Sequence, residues 1–322
     1  MSDDDDIILK DLNDFLVRSD SLFDPEATAV PVAAMKALLG VVERSQAETM
    51  MGLQDELKQA TDVMIQKYSS RSYIALQSGC EIFMRYITRT YLEELNDFEE
   101  CRQAILERGA RFQTLSLAAR DRIAKVAADF MDRKVILTHG WSRVVAAVLH
   151  EAEQPAELWI LEGRPDACGA RAAQQYCKET NIPVKVVLDS AMGYVMEQVD
   201  VVLVGAEGVL ENGGIVNKIG TYALAACAKA AGKPFYVAAE SFKFARMYPL
   251  HQTDLPDHGK LQCTFVDTSK ASDVMIVDLK EEVTGHTPPV DFTPANLITF
   301  LFTDLGVLTP SAVSEELIRM YQ

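Results

Sequence analysis

The sequence predicts an α/β protein, with an N-terminal helical domain followed by a Rossmann-like domain built on a parallel sheet. No proline lies between Pro31 and Pro155, which indicates helix after helix because proline is the strongest helix breaker. From Lys134 onward, short runs rich in Val, Ile and Leu alternate with segments long enough for crossover helices. That alternation is typical of a parallel sheet covered on both faces. We therefore expect domains over residues 1–133 and 134–322.

Helix starts can be located within the first domain. Residues 24–26 (Asp-Pro-Glu) offer an N-cap, a proline at the first helical position and an acid in the first turn. Residues 45–48 (Ser-Gln-Ala-Glu) have capping-box spacing, and apolar residues follow at helical intervals. Gly79 and Gly109 are expected at helix ends or at points of close packing.

Six apolar, β-rich runs in the second domain are expected to be strands. They are residues 135–138, 158–161, 184–188, 199–204, 235–238 and 274–277. Crossover helices are expected between most of them, for example over 167–180 and 221–231. In a sheet of this kind the ligand site lies beyond the carboxyl ends of the strands.

Charge and composition exclude several classes of protein. The net charge of −16 weighs against direct nucleic-acid binding, which needs a basic surface. No apolar run approaches the roughly 20 residues that span a bilayer, and the acidic N-terminus is unlike a signal or transit peptide. The six cysteines show no C-x-x-C spacing, so we expect neither zinc nor a disulfide framework. A cytosolic protein with reduced thiols is the expectation.

Two familiar nucleotide motifs are missing. The first predicted strand leads into Thr138-His139-Gly140-Trp141-Ser142-Arg143, with no G-x-G-x-x-G, and no G-x-x-x-x-G-K-[ST] loop occurs. We therefore expect no nicotinamide or flavin cofactor and no nucleoside triphosphate bound through such a loop.

The glycine-rich stretch 205–221, GAEGVLENGGIVNKIGT, follows a predicted buried strand. Asn212, Gly213 and Gly214 can adopt the positive φ angles that turn successive N–H groups toward one anion. Lys218 adds a mobile positive charge, and a helix expected to begin within 217–221 adds its positive end. The combination suits a phosphate monoester. A glycine-rich turn without a ligand is the alternative, and spacing alone leaves it open.

That stretch resembles the signature of the family containing the alpha, beta and delta subunits of eukaryotic translation initiation factor 2B, methylthioribose-1-phosphate isomerases and archaeal ribose-1,5-bisphosphate isomerases. The resemblance covers nearly the whole chain. It includes SGCEIFMRYI (78–87), ILERGARF (105–112), ILTHGWSRVV (136–145), IPVKVVLDSAMGYVME (182–197), KPFYVAAESFKF (233–244) and LFTDLGVLTPSAVSEELI (301–318). The segments at 78–87 and 105–112 point to the regulatory, alpha-type members.

The resemblance implies two competing functions. The isomerases use a cysteine just after a Thr-His pair and an aspartate in a Gly-Ala-Asp segment. Here those positions hold Gly140 and Glu207. Glycine cannot transfer a proton, and Glu207 reaches one methylene further than aspartate, so we expect a non-catalytic regulatory subunit. A sugar-phosphate isomerase is the alternative.

The resemblance also implies an inherited phosphosugar pocket that holds a sugar phosphate or a nucleoside monophosphate. Its expected residues are Gly140, Ser142, Arg143, Glu207, Asn212, Gly213, Gly214, Asn217 and Lys218. Other polar residues have competing interpretations. His139 is an acid or base, or a packed histidine bonded to backbone, and Asp189 either contacts the ligand or caps a helix. Arg143 either touches an anion or forms a surface ion pair.

By resemblance, the expected partners are a second copy of the chain, the beta, delta, gamma and epsilon subunits of initiation factor 2B, and initiation factor 2. The homodimer would bridge the assembly, and the helical domain would sense substrate phosphorylated on its alpha subunit. Leu305, Val307 and Leu308 offer more apolar surface than a final segment usually exposes, so we expect them at the dimer interface.

Overall fold

The computed structural model describes residues 3–17, 28–68, 73–93, 97–109, 112–256, 266–267, 275–276 and 286–321. Six helices precede the first strand: α1 (Asp3–Val17), α2 (Val30–Arg44), α3 (Met50–Tyr68), α4 (Tyr73–Glu93), α5 (Phe98–Gly109) and α6 (Phe112–Ala127). The later helices are α7 (Arg143–Glu151), α8 (Cys168–Glu179), α9 (Met192–Val195), α10 (Thr221–Ala230) and α11 (Val313–Tyr321). The helix start predicted at 24–26 lies outside the described residues.

The strands fall into three sheets. They are β1 (Val135–His139), β2 (Glu157–Leu161), β3 (Val184–Val187), β4 (Val201–Gly205), β5 (Gly208–Leu210), β6 (Ile215–Lys218), β7 (Phe235–Ala238), β8 (Phe244–Ala245), β9 (Val266–Asp267), β10 (Met275–Ile276), β11 (Val290–Thr293), β12 (Phe300–Thr303) and β13 (Gly306–Leu308). The main sheet has the order β13-β12-β7-β4-β1-β2-β3, parallel except for β13. The predicted fold class is confirmed.

Helix α2 lies at the centre of the helical region. It is apolar on nearly all sides, and most of its residues are buried. Gly79 of α4 lies against it so closely that an added Cβ would sit 2.4 Å from the carbonyl oxygen of Pro31. Gly79 therefore serves the close packing of two helices, one of the two roles expected for it.

The capping box predicted at residues 45–48 is wrong. Helix α3 begins later, at Met50, and the hydroxyl oxygen of Thr49 accepts a hydrogen bond from the amide of Gly52 at 3.2 Å. The Ser45 side chain instead accepts from the amide of Ala47 at 3.1 Å, within the connection between helices. Thr49 supplies the cap that spacing assigned to Ser45.

Polar contacts join the helical region to the carboxyl edge of the main sheet. The Ser78 hydroxyl of α4 lies 2.9 and 2.8 Å from the carbonyl oxygens of Phe242 and Phe244. The Arg120 guanidinium of α6 lies 3.4 Å from the carboxylate of Glu240, and both side chains are buried. The helices thus pack directly beside the strand ends where a ligand would bind.

Three predicted segments have a different structure from the one expected. The strand predicted over 274–277 is described only as β10, which pairs antiparallel with β9 outside the main sheet. The glycine-rich stretch is mostly a strand pair, β5 and β6, in a four-stranded sheet of order β11-β6-β5-β8. The segment 305–308, for which no strand was predicted, contains β13, which pairs with β12. In the part of the chain described, every helix is too short or too polar to cross a membrane.

Candidate functional site

The site lies where the strand order reverses. Strands β2 and β3 extend from β1 in one direction, whereas β4 lies on its other side. The loops that leave β1 and β4 therefore diverge and leave a crevice, the usual ligand site of an open parallel sheet. The two loops touch at their base, because a Cβ at Gly205 would sit 2.5 Å from the Ser142 hydroxyl oxygen. Gly140 and Glu207 lie on these two loops.

Gly140 faces a cluster built from other strand ends. Its φ is +72°, in the left-handed region that favours glycine. A Cβ built on it would lie 3.8 Å from Cδ of Lys218 and 3.9 Å from Sγ of Cys168. Lys218 is the last residue of β6, and Cys168 is the first residue of α8, which follows β2. Residues from the ends of β1, β2 and β6 therefore meet at the place that a side chain on residue 140 would occupy.

The Lys218 ammonium is held by two partners from the β2–α8 loop. Its Nζ donates to Oδ1 of Asp166 at 2.7 Å and also forms a hydrogen bond with the Cys168 thiol. Burial lowers the pKa of Lys218, but these hydrogen bonds outweigh it and hold the pKa above its ordinary value. Burial raises the pKa of Asp166, but the hydrogen bond from Lys218 lowers it, and the pKa is below its ordinary value. The pair is ionised at neutral pH.

Glu207 lies on the loop after β4, within reach of the charges of two lysines. Burial raises the pKa of its carboxyl to about 7, and the charges of Lys243 and Lys218 oppose the rise. Lys243 in turn forms a 2.8 Å ion pair with the buried Glu240 after β7. Glu207 is therefore a group that titrates near neutral pH beside two ammonium groups.

His139 ends β1 beneath this cluster and is only 4% exposed. Its Nε2 lies 2.9 Å from the carbonyl oxygen of Ile219, so this nitrogen carries the proton and donates. Burial lowers the pKa of the imidazole, which keeps the ring neutral. Within the described residues Nδ1, an acceptor in this tautomer, has no hydrogen-bond partner. His139 thus bonds to backbone, as one interpretation predicted, and keeps a vacant acceptor.

The amino end of α10 is already occupied by a carboxylate. Helix α10 begins at Thr221, within the range expected from the sequence, but Asp291 of β11 accepts from the amides of Gly220 at 2.7 Å and Tyr222 at 3.1 Å. The expectation that this helix end receives the ligand's phosphate is wrong, because Asp291 already satisfies those donors. Asn217 is also engaged locally, donating to the Thr221 hydroxyl at 3.1 Å.

Asn212, Gly213 and Gly214 form the turn between β5 and β6 and do not make the predicted anion nest. The Gly213 amide donates to the Leu210 carbonyl, and the Gly214 amide donates to the Asn212 side chain. Gly213 has a φ of +80° and packs against Pro310, where an added Cβ would lie 2.1 Å from the carbonyl oxygen. The turn lies at the opposite end of β6 from Lys218. These amides are thus engaged within the turn itself, which agrees with the glycine-rich turn that spacing left open as the alternative.

The remaining predicted residues act mainly in positioning. Ser142 caps α7, accepting from the amide of Val145 at 3.3 Å, and Arg143 Nη1 lies 3.5 Å from the Thr28 carbonyl oxygen. Asp189 accepts from the amides of Gly163 at 3.0 Å and Arg164 at 2.7 Å. It therefore fixes the β2–α8 loop, a role that neither interpretation of Asp189 anticipated.

Sequence reasoning missed several residues of the site: Asp166, Cys168, Lys243, Glu240 and Asp291. A signal existed for the first two, because they follow β2, the neighbour of β1 in a parallel sheet. Lys243 and Glu240 follow β7, the neighbour of β4, and were hidden within a longer resemblance segment. Asp291 had no local signal.

Comparison with known proteins assigns the chain to a family. Residues 25–310 match the initiation factor 2 subunit family. The chain belongs to that family. The eIF2B subunit alpha of Dictyostelium discoideum is 40% identical to it over 299 residues, covering 91% of this chain and 92% of that protein. The ribose 1,5-bisphosphate isomerase of Archaeoglobus fulgidus is 27% identical over 282 residues, covering 86% and 83%.

Solved structures of the initiation factor 2 subunit family share the fold. A chain of the tetrameric eIF2B beta–delta complex from C. thermophilum superposes with a TM-score of 0.73 and 15% identity, covering 98% of this chain and 95% of that one. At that identity the likeness concerns the fold alone. The helical region followed by a parallel sheet is therefore the architecture of the family.

Glu207 should make the free energy of unfolding depend on pH. Its pKa is about 7 in the folded protein, against roughly 4.3 for an unperturbed glutamate. The folded state binds the proton of the Glu207 carboxyl more tightly than the unfolded state does. The stabilisation that results is complete below about pH 4 and is lost as the pH rises through 7. Between pH 5 and pH 8, we expect the free energy of unfolding to fall by about 1 kcal/mol less in Glu207→Gln than in the wild type. This difference is smaller than the full pKa shift would give, because Glu207 is partly exposed to solvent.

Urea unfolding at several pH values measures this effect. Glu43→Gln, on the exposed face of α2, is the matched control and should leave the wild-type pH dependence intact. Equal slopes for wild type and Glu207→Gln would contradict the assignment of a raised pKa to Glu207.

Proposed function

We propose that this chain is a non-catalytic regulatory subunit of the guanine-nucleotide exchange factor for initiation factor 2. The observation that carries the proposal is Gly140, which leaves no side chain where the related isomerases have their cysteine. Kinship to a protein named eIF2B subunit alpha over more than nine-tenths of both chains supports the same conclusion. The chain would act in the cytosol, where the substrate of the exchange factor is found.

An isomerase is the second candidate, favoured by kinship to an archaeal isomerase and by a preserved cluster around Lys218. It fails on chemistry. Glu207 lacks a cysteine partner at position 140, and groups that act as a unit lose most of their rate when one is removed. The crevice is better suited to binding than to turnover.

The ligand proposed for the crevice is a sugar phosphate or a nucleoside monophosphate, without any metal or organic cofactor. Lys218 and Lys243 supply two positive charges to the site, and both act on Glu207. The vacant Nδ1 of His139 would accept a hydrogen bond from a ligand hydroxyl. Asp291 excludes the phosphate from the amino end of α10, so the phosphate would pair with a lysine instead.

The crevice should bind phosphosugars without converting them. We expect calorimetry to detect binding of ribose 5-phosphate or ribose 1,5-bisphosphate, and Lys218→Glu to abolish it by reversing the charge. Lys229→Glu, exposed on α10, is the matched control and should bind normally. Turnover of methylthioribose 1-phosphate or ribose 1,5-bisphosphate at about 1 per second or faster would reject the non-catalytic function. No binding at millimolar ligand would reject the pocket.

The proposed assembly places a homodimer of this chain between halves that contain the beta, delta, gamma and epsilon subunits. Kinship to a Dictyostelium discoideum protein named as a subunit of eIF2B supports membership of such an assembly. Strand β13 forms one edge of the main sheet, and Leu305 and Val307 are 44% and 41% exposed there. Leu308 packs partly against the core beside them. This edge is the proposed dimer surface.

A dimer through β13 makes a direct prediction. Sedimentation at micromolar concentration should give twice the monomer mass, and Val307→Asp should shift the protein toward monomer because it buries a charge at the interface. Leu308→Asp should act in the same direction. Met51→Asp, exposed on α3, is the control and should leave the dimer intact. A monomeric wild-type protein would be incompatible with the proposal.

The helical region is the proposed surface for initiation factor 2 phosphorylated on its alpha subunit. Reversing exposed charges there, with Lys58→Glu or Asp62→Lys on α3, should weaken inhibition by the phosphorylated substrate without changing basal exchange. Lys178→Glu on α8 is the matched control. Exchange assays of the reconstituted factor measure both properties. If only the α8 variant relieved inhibition, the assignment to the helical region would be wrong.

A further inference from the structure

Cys168 is a thiol in the crevice that the non-catalytic function does not use. It is the first residue of α8 and is half-buried. Cys80 and Cys101 are buried in the helical core, whereas Cys177 is exposed on α8. Among the described cysteines, Cys168 is the one that shares a hydrogen bond with the Lys218 ammonium.

The position of this thiol matches the gap at Gly140. A Cβ at position 140 would point toward the Cys168 sulfur, 3.9 Å away, and toward the Lys218 chain, 3.8 Å away. A side chain growing from position 140 would therefore enter the space beside Sγ of Cys168. The β2–α8 loop thus brings a sulfur to the part of the crevice that a cysteine on the β1–α7 loop would reach.

The surroundings favour a small polar ligand beside this sulfur. Lys218 and Asp166 form an ion pair next to it. The ring of His139, 96% buried, lies in the electrostatic field of the same pair and has its Nδ1 without a partner in the described structure. An unpartnered buried acceptor is a position that a ligand hydroxyl would satisfy. A ligand bound there would cover the thiol.

We propose that Cys168 is a modification site inside the phosphosugar pocket, where capture of its thiol by a small disulfide and binding of a phosphosugar exclude one another. This inference rests on the phosphosugar site proposed above. Attachment of a group to Sγ fills the space beside Lys218, and a bound phosphosugar shields Sγ from the reagent.

The reaction is thiol–disulfide exchange. The Cys168 thiol loses its proton, and Sγ attacks one sulfur of the disulfide, so that a new sulfur–sulfur bond forms as the old one breaks. The departing thiolate takes up a proton and leaves as a free thiol. Burial raises the pKa of the Cys168 thiol above its ordinary value and Lys218 opposes only part of the rise, so the reaction needs an alkaline pH, at which the ammonium favours the thiolate.

Hydroxyethyl disulfide, a small neutral reagent, tests the proposal on the full chain at pH 8.5. Peptide mass mapping would follow each cysteine with time, with and without ribose 5-phosphate at about ten times its calorimetric Kd. We expect the phosphosugar to slow capture of Cys168 about tenfold by mass action and to leave capture of the exposed Cys177 unchanged. Lys218→Gln should slow capture of Cys168 in the absence of ligand, because the thiolate loses its counter-charge.

The converse measurement uses calorimetry. In the wild-type protein, treatment with the disulfide should raise the Kd for ribose 5-phosphate at least tenfold. In Cys168→Ser, the same treatment should leave the Kd unchanged, so the ratio of Kd values with and without treatment should be one. Cys177→Ser is the matched control and should keep the wild-type ratio. These results together would support the proposal.

Two results would overturn it. If ribose 5-phosphate binds but capture of Cys168 is not slowed, the thiol lies outside the pocket. If Cys168 reacts no faster than the buried Cys80, it is not a modification site. A third pattern separates the two proposals: selective, Lys218-dependent capture of Cys168 without any phosphosugar binding supports the reactive thiol and rejects the phosphosugar pocket.

Discussion

The reversal of strand order between β1 and β4 is the constraint on which the site depends. Because β2 lies on one side of β1 and β4 on the other, the loops at their carboxyl ends part and open a crevice. Four charged side chains of the site come from strand ends: Asp166 from the loop after β2, Glu207 from the loop after β4, Lys218 from the last position of β6 and Glu240 from the loop after β7. A different strand order would scatter these residues along the sheet edge.

Paired charge keeps this crevice polar although most of its walls are buried. Asp166 holds Lys218, and Glu240 holds both Lys243 and Arg120. Since Arg120 belongs to α6, one ionic cluster extends from the helical region to Lys243 beside Glu207. Buried charges of this kind require their partners, because a single unpaired member leaves an uncompensated charge. The site is therefore physically connected to α6 of the helical region.

The sequence predicted the fold class and five of the seven strands of the main sheet, β1, β2, β3, β4 and β7, because runs such as 135–138 and 235–238 are continuously apolar and separated by helix-length segments. It contained less of the site. The glycines at 213 and 214 were compatible with an anion nest, yet their amides close a β-turn. The amino end of α10 was expected to receive a phosphate, yet Asp291 of β11, the strand paired with β6, occupies it. Partners some 70 residues away leave no local pattern. Asp166 and Cys168 were within reach, since parallel neighbours bring their carboxyl ends together.

We propose that the chain regulates nucleotide exchange and performs no chemistry of its own. This proposal is tested by exchange on initiation factor 2 with the reconstituted factor, assembled with and without this chain. We expect the factor that lacks the chain to retain basal exchange but to be inhibited far less by substrate phosphorylated on its alpha subunit. Equal inhibition with and without the chain, or exchange catalysed by the chain alone, would contradict it.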